Sequence, residues 1–340
     1  MVPSSPRSHP RVMMIKPAGA AFGEIDTPEM GPQEARRSPP TPTMQESHVS
    51  PLDAITMPTS ATLPEARCPH YACPRCRRPV PVGESLDSWC CATCGFQVTR
   101  QRGVISFTRT GVNEWQKFFE DKATGPKGDT ISALEYNTSL QNHYIINAFR
   151  HLCSNLQDEA IVLDAGCGNG IFWREFLAPR PVVGVDYSLH MCELAEAKGM
   201  TAYQADILNL PFADKQFDLV YCVEILQYIE DLPALLTEFA RVCRSGGRIV
   251  VSTINRTSLL LRSVRGIRSF LPREDMPLSF RYFTRTADEI VESARGLPLA
   301  VGTVAWTHFP IPWLHRSSSP KHMMDWLAWN VFVEFVKPSA

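Results

Sequence analysis

The stretch VLDAGCGNG, residues 162–170, constrains this chain more than any other. Its apolar start reads as a buried strand that ends at Asp164. Glycines follow at positions 166, 168 and 170, and the helix-like segment IFWREFL comes next. Glycine at a strand-to-helix turn lets a ligand approach the backbone without meeting a side chain. Two further acids close later apolar runs, Asp186 in PVVGVDYS and Asp206 in TAYQADILNLPF. A carboxylate at Asp186 can accept both hydroxyls of a ribose. Asp206, through its carboxylate or nearby backbone, can receive an adenine amino group. The spacing G-x-G-x-G departs from the dinucleotide fingerprint G-x-G-x-x-G, which argues against NAD or FAD.

The surrounding pattern gives this turn a context. AIVLDAG, PVVGVD, TAYQAD, QFDLVYC and GRIVVST read as buried strands, with SLHMCELAEAKG and LPALLTEFARVCRSGG as helices between them. The alternation predicts an α/β, Rossmann-like domain: a mostly parallel sheet with helices on both faces. LAVGTVAW and NVFVEFVKP read as two more strands. Upstream, EWQKFFEDK begins one helix and Thr130 to Leu156 carries another, with Gly125, Pro126 and Gly128 between them. The 340 residues suit about two domains. Residues 1–66 hold twelve of the twenty-eight prolines and a single aromatic, Phe22, so disorder is expected there. The predicted organisation is a disordered 1–66, a small module at 67–108, and an α/β domain at 109–340 with a helical lead-in at 109–158. No run of roughly 18 apolar residues spans a membrane. The N-terminus lacks the apolar stretch of a secretory signal. A net charge of -1 argues against a surface given over to nucleic acid.

Six of the eleven cysteines lie between Cys68 and Cys94. Cys73 with Cys76, and Cys91 with Cys94, form two C-x2-C knuckles that bring four thiolates within tetrahedral reach of one zinc ion. Four protein ligands leave no open position, so a structural zinc ribbon is expected. Cys68, His70 or Cys90 stand close enough in sequence to replace a ligand. Clustered cysteines without a secretory signal point to a reducing, cytoplasmic setting. Between Arg67 and Arg102 six arginines face two acids. That excess suits either phosphate contacts or a simply solvated surface.

The ordered motifs DAGCGNG, GVDYS, QADILNLPF, FDLVYCVEILQYIED and RSGGRIVVSTINR make residues Glu159 to Val336 resemble the class I S-adenosylmethionine-dependent methyltransferases. The resemblance implies a seven-stranded sheet whose last strand is antiparallel. It places Asp164, Gly166, Cys167, Gly168 and Gly170 at the methionine and sulfonium end. Asp186 with Tyr187 fall at the ribose, Asp206 and Ile207 at the adenine, and Val223 beside the cofactor. Within the family the chain looks nearest the ubiquinone-pathway O-methyltransferases. These typically carry an acid at the position of Gln227 and a histidine at that of Tyr228. This sequence keeps Glu224 and departs at the other two. Glu224, Tyr228 and His308 are the candidate catalytic residues, with His315 as a further base. A sulfonium methyl is already activated, so holding donor and acceptor in line and excluding water are the main requirements.

The expected acceptor is a small-molecule or lipid-like metabolite. Residues 258–275 lie where this family often covers the acceptor. Arg262, Arg265 and Arg268 recur there at a three-residue spacing that suits pairing with an acidic acceptor, peripheral contact with an anionic membrane, or an ordinary half-exposed helix. An RNA acceptor presented by the ribbon is the alternative, because the ribbon resembles short zinc modules that partner tRNA and protein methyltransferases. Against it, CVEI stands where amino-group methylases of bases usually carry an NPPY-like tetrapeptide. A non-catalytic binding module is the third reading. Degraded glycines or a missing ribose acid would favour it, and both are intact.

Overall fold

A computed structural model describes residues 11–12, 69–108, 114–126, 128–130, 139–177, 180–259, 283–307, 326 and 328–339. The strands are β1 Arg11–Val12, β2 Thr99–Gln101, β3 Val104–Ser106, β4 Val162–Ala165, β5 Val182–Asp186, β6 Thr201–Gln204, β7 Phe217–Cys222, β8 Cys243–Ile254, β9 Ala300–Thr307 and β10 Asn330–Val336. The helices are α1 Glu114–Thr124, α2 Ser139–Leu152, α3 Ile171–Phe176, α4 Leu189–Ala197, α5 Leu232–Val242 and α6 Ala287–Ser293.

The described strands form one sheet in the order β1-β9-β10-β8-β7-β4-β5-β6-β3-β2. The inner seven, from β9 to β6, are the predicted domain. Strands β4 to β8 run parallel, and β10 is antiparallel to both β8 and β9. Strand β4 is buried throughout, and β5 is buried up to its last residue. That explains why these runs are continuously apolar rather than alternating. The chain leaves β4 for β5 on one side and later returns to β7 on the other. This reversal opens a crevice beyond the strand ends, where open α/β sheets bind ligands.

The sheet is larger than the expected seven strands. The cysteine-rich module adds β3 parallel to the edge strand β6, through Ile105 opposite Tyr203 and Ser106 opposite Gln204, and β2 then pairs antiparallel with β3. One apolar core runs through both parts: Cys73, Val80, Trp89, Phe96 and Phe107 pack in the same cluster as Leu163, Val185 and Phe212. All described residues fall in one compact unit, formed by residues 1–16 and 60–340. At the other edge Arg11–Val12 pairs parallel with β9. The rest of the proline-rich 1–66 segment lies outside the described residues.

The helix predicted over LPALLTEFARVCRSGG stops at Val242, and Cys243 already belongs to β8. The Lys337 ammonium donates to the carbonyls of Ala240 and Cys243 at 2.6 and 2.9 Å, satisfying acceptors that a continued helix would have used. The second lead-in helix occupies Ser139–Leu152, and residues 131–138 of its predicted span lie outside the described residues.

Candidate functional site

A cavity of about 360 Å³ opens at the reversal point of the sheet. Asp164, Gly166, Cys167, Gly168, Asp186, Tyr187, Asp206, Ile207, Val223, Glu224 and Tyr228 all line it. These are sequence-predicted residues, drawn from the ends of four strands. Gly170 is not among the lining residues; it is the N-cap of α3, with φ 75°. A Cβ there would meet the Ala195 Cα of α4 at 3.0 Å, so Gly170 serves close helix packing. His308 and His315 lie outside the described residues, as does the 260–275 part of the predicted cover.

The glycine loop is shaped by backbone chemistry. Gly166 and Gly168 both sit at positive φ, 91° and 51°. Asp186 ties that loop to the next: its carboxylate accepts the Gly168 N–H and the Ser188 N–H, each at 2.9 Å. A Cβ on Gly166 would lie 2.5 Å from Ile225. Any side chain at position 166 would therefore have to displace Ile225, which lines the same cavity.

Burial sets the charges in this cavity. Asp164 is fully enclosed, and burial pushes its carboxyl up to about 8, even though the Tyr221 hydroxyl donates to it at 2.7 Å. Burial also lifts Asp186, to about 6, against the N–H bonds that favour its charged form. Glu224 is only 3% exposed and is raised by burial to about 7. The Ser252 hydroxyl donates to its carboxylate at 3.0 Å. Its backbone takes the left-handed conformation, φ 57°, unusual for a buried non-glycine residue. The bond from the Gln227 amide to the Glu224 carbonyl, 2.6 Å, and the Glu224 N–H bond to Ser252 Oγ hold it there.

Several lining residues carry no sequence signal of their own. Trp115, Gln116 and Phe119 come from α1 and close the cavity from above. The Trp115 and Phe119 rings pack on Tyr228 at 4.6 and 5.3 Å between centroids. Glu120 fixes α1 to the start of α4: it accepts the Ser188 hydroxyl and the His190 N–H, and pairs with the His190 ring. Burial would raise the Glu120 carboxyl, but these partners outweigh it and hold the group below its ordinary range. The Asn169 amide donates to the carbonyls of Gly128 and Thr130, tying the segment after α1 to the glycine loop. The sequence marked EWQKFFEDK only as the start of a helix, with nothing to say which surface it covers.

The sulfurs of Cys73, Cys76, Cys91 and Cys94 lie within 4.8 Å of one another. The Cys73–Cys94 and Cys76–Cys91 pairs are 3.5 Å apart. Tetrahedral zinc thiolate bonds of about 2.3 Å imply sulfur separations of roughly 3.8 Å. Backbone N–H groups of Arg75 and Cys76 point to the Cys73 sulfur, and those of Thr93 and Cys94 to Cys91, as a thiolate cluster requires. The residues therefore fit a closed structural zinc site. Cys90 is exposed and His70 is exposed, neither in the cluster, and Cys68 lies outside the described residues.

The two knuckles share a backbone. After each second cysteine the chain turns left-handed, with Gly95 at φ 67° and Arg77 at φ 64°. Of the module's arginines, Arg75 donates to the Cys94 carbonyl, Arg77 and Arg100 pair with Glu238 and Asp87, and Arg102 meets Glu193 and His190.

Residues 163–251 match the family model described as a methyltransferase domain. With the strand order and the glycine–acid cradle, this shows that the chain carries a class I S-adenosylmethionine-dependent methyltransferase domain. Among curated relatives it is similar to a malonyl-[acyl-carrier protein] O-methyltransferase of Hamiltonella defensa. The two are 43% identical over 103 residues, which is 29% of this chain and 39% of the relative. The Yersinia pestis protein of the same name is 32% identical over 136 residues, 36% of this chain and 50% of the relative. The chain thus spans half or less of these relatives' own length. A solved S-adenosylmethionine-dependent methyltransferase from Thermotoga maritima is 17% identical, with a TM-score of 0.47, over 64% of this chain and 99% of that one. No described helix is long and apolar enough to cross a membrane.

Proposed function

We propose that this protein transfers the methyl group of S-adenosylmethionine to a small, largely apolar metabolite, and that the ribbon binds a structural zinc ion. The observation that carries the reading is one cavity lined by both the glycine–acid cradle and an aromatic wall of Trp115, Phe119 and Tyr228. The bound cofactor supplies an activated, electrophilic methyl. Asp186 holds the ribose end, Asp206 and Ile207 face the adenine, and Asp164 faces the methionine end. The carboxylate of Asp206 already accepts the Leu208 N–H and the Asn209 amide, which leaves nearby backbone to read the adenine edge. The aromatic wall orients the acceptor and keeps water out, and alignment of this kind is worth on the order of 7–11 kcal/mol in well-oriented systems.

For an acceptor that must lose a proton, Glu224 is the base we favour. It lines the cavity, is shielded from solvent, and is raised by burial to about 7, where a general base works best. Tyr228 contributes ring surface to the acceptor wall. The relatives named as malonyl-[acyl-carrier protein] methyltransferases make an acyl thioester acid one candidate substrate class. Four of the module's six arginines, Arg75, Arg77, Arg100 and Arg102, bond within the chain, which weighs against RNA.

The test uses purified, zinc-loaded protein, methyl-labelled S-adenosylmethionine and an extract from cells lacking the gene. Label in the organic-soluble fraction is the expected result. Label in RNA would overturn the choice of acceptor, and absence of cofactor binding in a direct titration would overturn the methyltransferase reading.

A further inference from the structure

Besides the pairing of β3 with β6, the cysteine-rich module touches the domain along the loop from Ala205 to Phe212. Ala205, Asp206, Ile207 and Leu208 of this loop line the cavity. Just past them, both backbone groups of Leu210 are held. Its N–H donates to Glu238 Oε1 at 2.7 Å, and its carbonyl accepts from Arg77 Nη1 at 3.1 Å and Arg241 Nη2 at 3.2 Å. Glu238, 5% exposed on α5, is gripped by both guanidinium groups: Arg77 at 2.9 and 3.1 Å, Arg241 at 2.8 and 2.9 Å. Arg241 belongs to the domain's own helix. Arg77 belongs to the first metal knuckle.

Two further strands of contact run beside this clamp. The Ala72 N–H donates to the Pro211 carbonyl, and the Ala213 N–H to the His70 carbonyl, so the start of the ribbon is zipped along the same loop. Tyr71 stacks on Phe107, both meet Tyr203 edge-on, and Tyr71 also packs on Phe212. The Ser106 hydroxyl donates to Gln204, whose amide in turn donates to the carbonyl of Tyr187 on the ribose side.

We infer that Arg77 is a positioning residue for the cofactor wall, and that metal occupancy of the ribbon is thereby coupled to cofactor affinity. The reason lies in the knuckle's backbone. Position 77 is left-handed, a conformation that an arginine avoids unless its surroundings impose it. What imposes it is the turn closed by the Arg77 N–H on the Cys73 carbonyl and the Cys73 N–H on the Arg78 carbonyl, both 2.8 Å, around sulfurs that need a cation between them. Without the metal this turn loses its cross-link, Arg77 withdraws, and Leu210 keeps only the domain's own partners. The equivalent Gly95 adopts the same conformation with no side chain to spend. Arginine at position 77 therefore has a use that the turn itself does not require.

The cofactor part of this inference rests on the methyltransferase reading, and the loop part does not. The experiment compares full-length, zinc-loaded wild type, Arg77→Gly and Arg77→Lys. Arg77→Gly keeps the left-handed turn and removes only the clamp. Zinc content, hydrogen exchange of residues 205–213 and of 165–170, and the Kd for S-adenosylmethionine are measured together. Arg77→Gly should retain one zinc per chain and exchange faster at 205–213 while 165–170 stays protected. Its cofactor affinity should fall roughly 5- to 10-fold, the lower end of ordinary site-to-site coupling. Arg77→Lys, which keeps charge but not the two-pronged grip, should fall between. By reciprocity, saturating cofactor should raise the equilibrium zinc affinity of wild type by the same factor, read by competition with a chromogenic chelator, and the Arg77→Gly protein should lose that gain. Wild-type exchange at 205–213 in Arg77→Gly would overturn the positioning role. Loss of zinc from that variant would overturn it too, by making Arg77 a part of the metal site. If wild type binds no cofactor, the methyltransferase reading fails, and the exchange at 205–213 alone decides whether Arg77 holds the loop.

Discussion

Two loops wall the cavity, and they are held in shape by opposite means. The glycine loop at 165–170 is self-sufficient: positive φ at its glycines and N–H bonds to Asp186 and Val185 fold it from within the domain. The loop at 205–212 owes part of its shape to a different module. Leu210 is pinned from the ribbon by Arg77, and Phe212 is covered by Tyr71. The first loop should therefore respond to local backbone changes. The second should respond to the metal proposed for the ribbon's four cysteines, one of which, Cys76, directly precedes Arg77.

Metal removal gives the largest contrast. Structural zinc contributes on the order of 10 kcal/mol to the folding of small metal modules. Chelation should therefore melt the ribbon, expose 205–213 to exchange, and leave 165–170 protected. Exchange mass spectrometry on the chelated protein reads this directly, and equal loosening of both loops would erase the distinction. Next comes Asp186→Ala, which removes the shared acceptor of the Gly168 and Ser188 N–H groups. Leaving these charge-assisted bonds unmade costs roughly 1.5–3 kcal/mol, so cofactor affinity should fall at least about tenfold by calorimetric titration, with the circular dichroism spectrum unchanged.

Gly166→Ala acts on the same loop by strain. A left-handed backbone costs a non-glycine residue about 1–2 kcal/mol, and the new methyl would also press on Ile225. Cofactor binding should weaken by about tenfold while exchange at 205–213 is untouched. Glu224→Gln tests the chemistry that the two loops frame. If Glu224 is the base, the rate in wild type rises as pH passes upward through about 7, where the carboxyl loses its proton. The variant should lose that rise, and an unchanged pH profile would remove Glu224 from the mechanism.

Tyr221→Phe is the mildest. It strips the hydroxyl that supports the Asp164 carboxyl and should lower stability by about 1 kcal/mol in denaturant melts. The Asp164 carboxyl is raised to about 8, so the folded protein holds a proton that the unfolded chain releases near its ordinary range. The stability it contributes is full at low pH and fades as pH climbs toward 8. Asp164→Asn should flatten that slope.

The strand endings were legible because each chemical demand fell on a residue type that advertises it. Asp164, Asp186 and Asp206 each close an apolar run, and glycine alone suits the turn after the first. The Cys73/Cys76 and Cys91/Cys94 knuckles were legible for the same reason, since metal ligands come at fixed spacing. Seven strands of the domain followed from alternating apolar and amphipathic runs. Three things did not follow. The joining of β3 to β6 is a backbone pairing that no side chain announces. The lid made by Trp115 and Phe119 depends on where α1 lands. Arg77 read as one more surface arginine in a basic stretch.

What the sequence by itself determined, then, was the local chemistry: the class of fold, the glycine–acid loops that line the cavity and the four clustered sulfurs. What only the tertiary structure decided was how distant parts lean on one another. Local chemistry is written in neighbouring residues, because hydrogen bonds within a turn and ligand spacing within a knuckle span a few positions. Arg77 and Glu238 are separated by most of the domain in sequence, and their pairing exists only once β3 has docked on β6. A contact of that kind depends on the summed geometry of every element between its partners.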